Sequence, residues 1–131
     1  MRWMLDTNTV SDLLRARSPV LLRVSEQPMV TLCVSAVTEA ELRFGLAKRP
    51  DAVRLHEAVR QLLLRVQPLP WDSAVAAVYG RLRAELERQG RPLSPLDLQI
   101  AAHALAQGAT LVTRDRAFAQ VPGLRVVDWS V

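Results

Sequence analysis

The stretch Arg2-Trp3-Met4-Leu5-Asp6-Thr7-Asn8-Thr9 decides how the chain folds. Arg2 to Leu5 reads as a short buried strand. Asp6-Thr7-Asn8-Thr9 follows as turn and helix-cap chemistry ahead of Val10, Leu13 and Leu14 at helical spacing. A strand that yields at once to a helix opens a βα unit, and the same grammar recurs downstream. Val30 to Val34 is a β-branched apolar run between Pro28 and Ser35 that leads into a helix from Ala36 to about Ala47. Ala109 to Thr113 is a third such run, and Arg125 to Val127 a last short one. Val66 to Leu69, interrupted by Pro68 and followed by Pro70, suits only a sheet edge. Helices fill the intervals: Val20 to Ser25, then a face of Leu55, Val59, Leu62, Leu63 and Val66. A segment capped by Asp72 carries Val75, Val78, Tyr79, Leu82 and Leu86 and runs to Gly90. Another opens at Ser94-Pro95 and stops at Gly108, and Arg116 to Ala119 forms a helical turn. Near-continuous apolar strands alternating with helices require a parallel sheet covered on both faces.

The 131 residues, 50% hydrophobic and 23% charged, suffice for one compact domain over 1–131 and little more. Apolar runs such as Ile100 to Leu105 are broken by His or Gln and fall short of the ~20 residues of a membrane span. The N-terminus lacks the basic-then-apolar order of a signal peptide, so a cytoplasmic protein without a membrane partner is expected. Cys33, the only cysteine, excludes an intrachain disulfide or a cysteine-based zinc site and reads as a small core residue. Lys and Arg number 17 against 13 Asp and Glu, a net charge of +4 that suits a polyanionic partner. Lys48 is the only lysine, and arginine is the side chain that forks onto phosphates and stacks on bases. Solvated arginine-rich helix faces would give the same balance.

In open parallel sheets function collects beyond the carboxyl ends of strands. Acids recur there: Asp6 ends the first strand, Glu41 lies early in the helix after the second, Asp97 is in the first turn after Pro95, and Asp115 follows Thr113. Asn8 and Thr113 stand beside them. Each acid has a structural alternative, since Asp97 with Ser94 has capping-box spacing and Asp115 suits the cap of the next turn. Glu41 falls on the helical face of Val37, Ala40 and Phe44, expected to point inward, opposite solvent-facing Glu39 and Arg43. An ionised side chain there costs several kcal/mol unless paired. Carboxylates gathered at one edge repel one another, and a hard divalent cation relieves that repulsion.

The series Leu5-Asp6-Thr7-Asn8, Ser35-Ala36-Val37-Thr38-Glu39-Ala40-Glu41-Leu42-Arg43-Phe44-Gly45, Pro95-Leu96-Asp97 through Ile100-Ala101-Ala102-His103-Ala104, and Thr110-Leu111-Val112-Thr113-Arg114-Asp115 resembles PIN-domain ribonucleases of the VapC toxin type. The resemblance runs in order to about Phe118. It implies a three-layer α/β/α sandwich around a five-stranded parallel sheet, order 3-2-1-4-5. It also implies an Mg²⁺ or Mn²⁺ pocket of Asp6, Glu41, Asp97 and Asp115, supported by Asn8 and Thr113. A VapB-type antitoxin, a homodimer and a structured RNA substrate such as an initiator tRNA are further implications. Leu42 with Leu46, and the stripe from Leu55 to Val66, are candidate partner surfaces that also read as core.

The corresponding chemistry is metal-assisted phosphodiester hydrolysis, with Arg114 and Arg116 beside the scissile phosphate and Arg88 and Arg91 extending a basic rim along the RNA. Neither histidine is required: His103 reads as a core residue and His56 as solvent-facing. A haloacid-dehalogenase-like phosphatase would need a second Asp where Asn8 stands, and a receiver domain a lysine on a late strand. A non-catalytic RNA- or protein-binding module and a DNA nuclease of the same fold remain as alternatives.

Overall fold

The computed structural model describes all residues, 1–131. In chain order the elements are β1 (Trp3–Leu5), α1 (Thr7–Leu14), α2 (Ser18–Ser25), β2 (Leu32–Ser35), α3 (Ala36–Ala47) and α4 (Val53–Arg65), then β3 (Gln67–Leu69), α5 (Ser73–Arg88), α6 (Pro95–Gln107), β4 (Thr110–Val112) and β5 (Val126–Val127). The five strands form one parallel sheet in the order β3-β2-β1-β4-β5, the order the resemblance implied. Pro-bearing β3 lies at the edge, as its sequence required.

Two local expectations shift. Met29–Thr31 is a 3₁₀ turn rather than the start of β2, closed by the Thr31 hydroxyl donating to the Pro28 carbonyl at 2.6 Å. Val66 is the C-cap of α4 and leaves β3 to begin at Gln67.

Alternation along the strands feeds two cores. Met4, Cys33 and Leu111 join Leu82, Leu86, Ile100 and Phe118 on the side of α5 and α6. Leu5, Leu32, Val34 and Val112 join Val10, Val20, Leu62 and Val66 on the side of α1, α2 and α4. Each buried aliphatic side chain contributes about 1.5–3 kcal/mol. Helix α3 touches both, with Val37 packed against the first core and Leu42 against the second, so it lies across the carboxyl edge of the sheet. No helix is long and apolar enough to cross a membrane.

Three helices end in left-handed residues, α5 at Gly90 with φ 65°. Gly108, at φ 62°, terminates α6. Ala16, at φ 55°, follows α1, where Ala16 N donates to the Leu13 carbonyl and Arg17 N to the Asp12 carbonyl, the paired bonds of a Schellman turn. An L side chain pays about 1 kcal/mol in this conformation. Ala16→Gly is therefore expected to stabilise the fold by about 1 kcal/mol and Gly108→Ala to destabilise it by a similar amount. Urea midpoints of the two variants check this, and shifts of the same sign contradict it.

A carboxylate cluster at the carboxyl edge of the sheet

Asp6 leaves β1 at the centre of the sheet, where its amide continues the ladder to the Val112 carbonyl at 3.1 Å. It is the N-cap of α1, with Oδ1 accepting from the Thr9 amide at 3.1 Å. Oδ2 accepts from the Thr113 hydroxyl at 2.6 Å. The Thr113 Oγ1 in turn accepts from the Asp115 amide at 3.0 Å. One hydroxyl thus links two of the acids, and the Thr9 hydroxyl fastens α1 to β4 by donating to the Val112 carbonyl at 2.8 Å. Asp115 caps the 3₁₀ turn Arg116–Gln120, its Oδ1 accepting from the Ala117 amide at 2.9 Å. Asp97 sits in the first turn of α6, its amide donating to Ser94 Oγ at 3.3 Å.

Asp97 lies within electrostatic reach of both Asp6 and Asp115. Burial pushes the Asp6 carboxyl above its ordinary range despite the bonds from Thr113 and Thr9, and the charge of Asp97 adds to the rise. Burial likewise raises Asp97, with the charge of Asp115 adding. None of the four expected acids is in an ion pair, although the chain carries 17 basic residues.

Glu41 departs from expectation: it is exposed, together with Ala40, and Phe44 is 58% exposed. The inward stripe of α3 is Thr38 and Leu42, because a helix laid across the sheet edge buries only the line facing both cores. Glu39, expected in solvent, is half-buried and bonds Arg43 at 2.7 Å. Phe44 instead lies beneath the ammonium group of Lys48, 4.6 Å from its ring centre.

The remaining residues divide similarly. Asn8 is half-buried and accepts only a long contact, 3.5 Å, from the Thr9 hydroxyl. Arg114 turns to Asp12, Nε to Oδ2 at 3.1 Å, and its charge reaches Asp6 and Asp128. Arg116 is exposed and acts on Asp128, which Ser130 already holds below the ordinary carboxylate range. Arg88 pairs with Glu85, whereas exposed Arg91 has no ion-pair partner. His103 is fully buried, with Nδ1 2.7 Å from Ser35 Oγ, and burial pushes its pKa down. His56 is half-buried, with Nε2 3.0 Å from the Arg49 carbonyl oxygen, rather than free in solvent. Val59 is buried, Leu62 and Val66 belong to the core on that side of the sheet, and Leu42 packs against it.

Asp12 was not singled out from the sequence. It is 3% exposed on α1 and meets both Arg114 and Arg17. The signal was an acid on the inward face of a helix, the argument applied to Glu41, but its cationic partners come from a loop and from a residue 102 positions away.

No three of the acids, histidines or cysteine stand close enough to cage an ion outright. The donor set nevertheless fits a hard cation. It is all oxygen and unpaired, and Mg²⁺ keeps several waters while taking one or two carboxylates directly.

The PIN-domain family model matches residues 3–124. The chain belongs to the PIN-domain family. Within that family it is similar to the tRNA(fMet)-specific endonuclease VapC of Shigella flexneri, 36% identical over 131 residues and covering 99% of each chain. The structure matches DNA-bound VapBC from Salmonella typhimurium at a TM-score of 0.91, with 34% identity and 98% of both chains covered. It matches VapBC2 from Rickettsia felis, bound to a promoter DNA fragment, at 0.91, with 28% identity over 98% of this chain and 99% of that one. Like those relatives, this PIN domain is of the VapC type.

The carboxyl of Asp97 titrates higher folded than unfolded, so folding stability falls as pH rises through the window above the ordinary carboxylate value. Asp97→Asn removes that loss. The melting temperature of the variant relative to wild type should rise by about 1–3 °C between about pH 4 and about pH 7.5, a modest figure because the group is partly solvated. A pH-independent difference, or a large loss at both pH values, would make Asp97 a plain cap.

Proposed function

We propose that the chain is a divalent-metal-dependent endoribonuclease, the toxin of a type II toxin–antitoxin pair. The observation that carries this reading is the set of mutually repelling, unpaired carboxylates at the edge of an otherwise basic VapC-type PIN domain. Asp6 and Asp97 are the primary ligands, Glu41 is next, Asp115 acts directly or through water, and Asn8 and Thr113 support the site. A bound Mg²⁺ or Mn²⁺ supplies charge against the phosphoryl oxygens and a water acidic enough to attack at neutral pH.

The protein's own part is positioning. Thr9 and Thr113 hold both oxygens of Asp6, and Thr113 sets the backbone of Asp115 from the same hydroxyl. Asp115 commits Oδ1 to Ala117. Neither histidine stands ready as general base, because His103 is sealed in the core and His56 is occupied at Arg49. A binding module whose acids served only as caps would not need Asp6 buried and crowded by Asp97.

The named specificity of the Shigella relative supports a structured RNA, such as an initiator tRNA, as substrate. The VapBC neighbours support a VapB-type antitoxin. An apolar groove between α1, α2 and α4, a cavity of ≈ 200 Å³ lined by Leu13, Leu14, Leu21, Val24 and Leu62 with Leu22 exposed nearby, offers such a partner an apolar surface. A homodimer and a cytoplasmic location complete the reading.

Antitoxin-free protein incubated with total bacterial RNA and Mg²⁺ should produce discrete new 5′ ends on sequencing. EDTA or Asp6→Asn should reduce them more than ~100-fold, beyond the loss of a merely supporting group. Intact RNA with folded wild-type protein and Mg²⁺ would overturn the nuclease.

A further inference from the structure

We propose that Arg17 and Arg114, both anchored on buried Asp12, form a second phosphate site that grips the RNA backbone next to the scissile bond. The inference rests on the ribonuclease reading above.

Asp12 is buried while its two partners are not: the side chains are 5% exposed for Asp12, 59% for Arg17 and 48% for Arg114. Each guanidinium approaches the carboxylate through Nε, Arg17 at 3.4 Å and Arg114 at 3.1 Å, on opposite oxygens. Their Nη groups form no hydrogen bond to the protein, so the outer fork of each remains available. A fork held by its inner nitrogen is preorganised for bidentate contact with a phosphate. Asp12 against two guanidiniums leaves the charged lining of the groove net positive, with Asp128, bonded to Ser130, a further carboxylate that acts on Arg114.

The backbone places both cations deliberately close. The Schellman turn through left-handed Ala16 returns Arg17 over Asp12, with the Arg17 amide on the Asp12 carbonyl at 3.0 Å. Arg114 is fixed from the other side, as the residue between Thr113 and Asp115. The two arginines and Asp12 line an open polar groove of ≈ 600 Å³, together with Ser18 and Ser130. Arg114 carries the groove to the carboxylate edge, since it directly follows Thr113, whose hydroxyl bonds Asp6 at 2.6 Å. A strand whose scissile phosphate lies at Asp6 and Asp97 therefore presents a neighbouring phosphate to this groove. An acidic segment of the antitoxin is the rival occupant, but the continuity through Arg114 to the acids favours the substrate.

The test uses the full chain carrying Asp97→Asn to prevent cleavage, with fluorescein-labelled bulk bacterial tRNA titrated at several salt concentrations. Arg17→Gln and Arg114→Gln should each weaken binding about tenfold and lower the slope of log affinity against log salt by about 1. Arg17→Lys should restore the slope while recovering only part of the affinity, because a point charge replaces a fork. Arg17 is exposed at the end of a helix, so Arg17→Gln folds even if Asp12 variants do not. Wild-type affinity and slope in both Gln variants would overturn the groove while leaving the nuclease intact. Loss of antitoxin binding with unchanged tRNA binding would transfer the site to the antitoxin and also overturn it. Failure of the wild-type chain to cleave RNA with Mg²⁺ would overturn both readings together.

Discussion

The hydrogen bond from Thr113 to Asp6 is the contact on which the site depends. It joins the ends of the central strand β1 and its neighbour β4, in a place where the backbone ladder is running out. The carboxylate it holds is buried and unpaired, a state that folding alone would not select. Two bonds from Thr9 and Thr113 keep that acid in place, and the hydrophobic cores on both faces of the sheet carry the cost. Because Thr113 also receives the Asp115 amide, any shift of β4 against β1 moves two acids at once.

The chain treats its two buried aspartates in opposite ways. Asp12, within the helix that Asp6 caps, is balanced by Arg17 and Arg114, so its charge is spent on holding guanidiniums. Asp6 is in no ion pair, and Asp97 adds repulsion. The separation keeps arginine out of ion pairs with the acids proposed as metal ligands while keeping it within a residue of Asp115. A net positive chain can thus attract a polyanion without neutralising its own cluster.

Most of this was legible in the sequence because strands and caps are local. The run through Leu5 into Asp6, the Ser94-Pro95 start and the Gly108 stop each carry their own chemistry, and the helices fall where the spacing put them. Glu41 was misread because its face depends on how α3 crosses the sheet edge, with Val37 toward one core and Leu42 toward the other. Helical periodicity gives relative phase, and a helix that straddles an edge has no broad buried face to fix the absolute one. Asp12 was missed for a related reason. Its identity as an anchor is written in Arg17 and Arg114, whose approach depends on a left-handed Ala16 and on the position of β4.

His103 shows the same division between scaffold and chemistry. Its Nδ1 meets Ser35, which also caps α3 through the Val37 amide, so the pair ties the end of β2 to α6. The helix that carries Asp97 is thereby held against the strand that launches the helix of Glu41. Its Nε2 is the one buried side-chain polar atom without a partner, and desolvation keeps the ring neutral. A charged imidazole here would place a cation in the core beneath the acids. A neutral one supplies rigidity and adds no positive charge to compete with a metal for the acids.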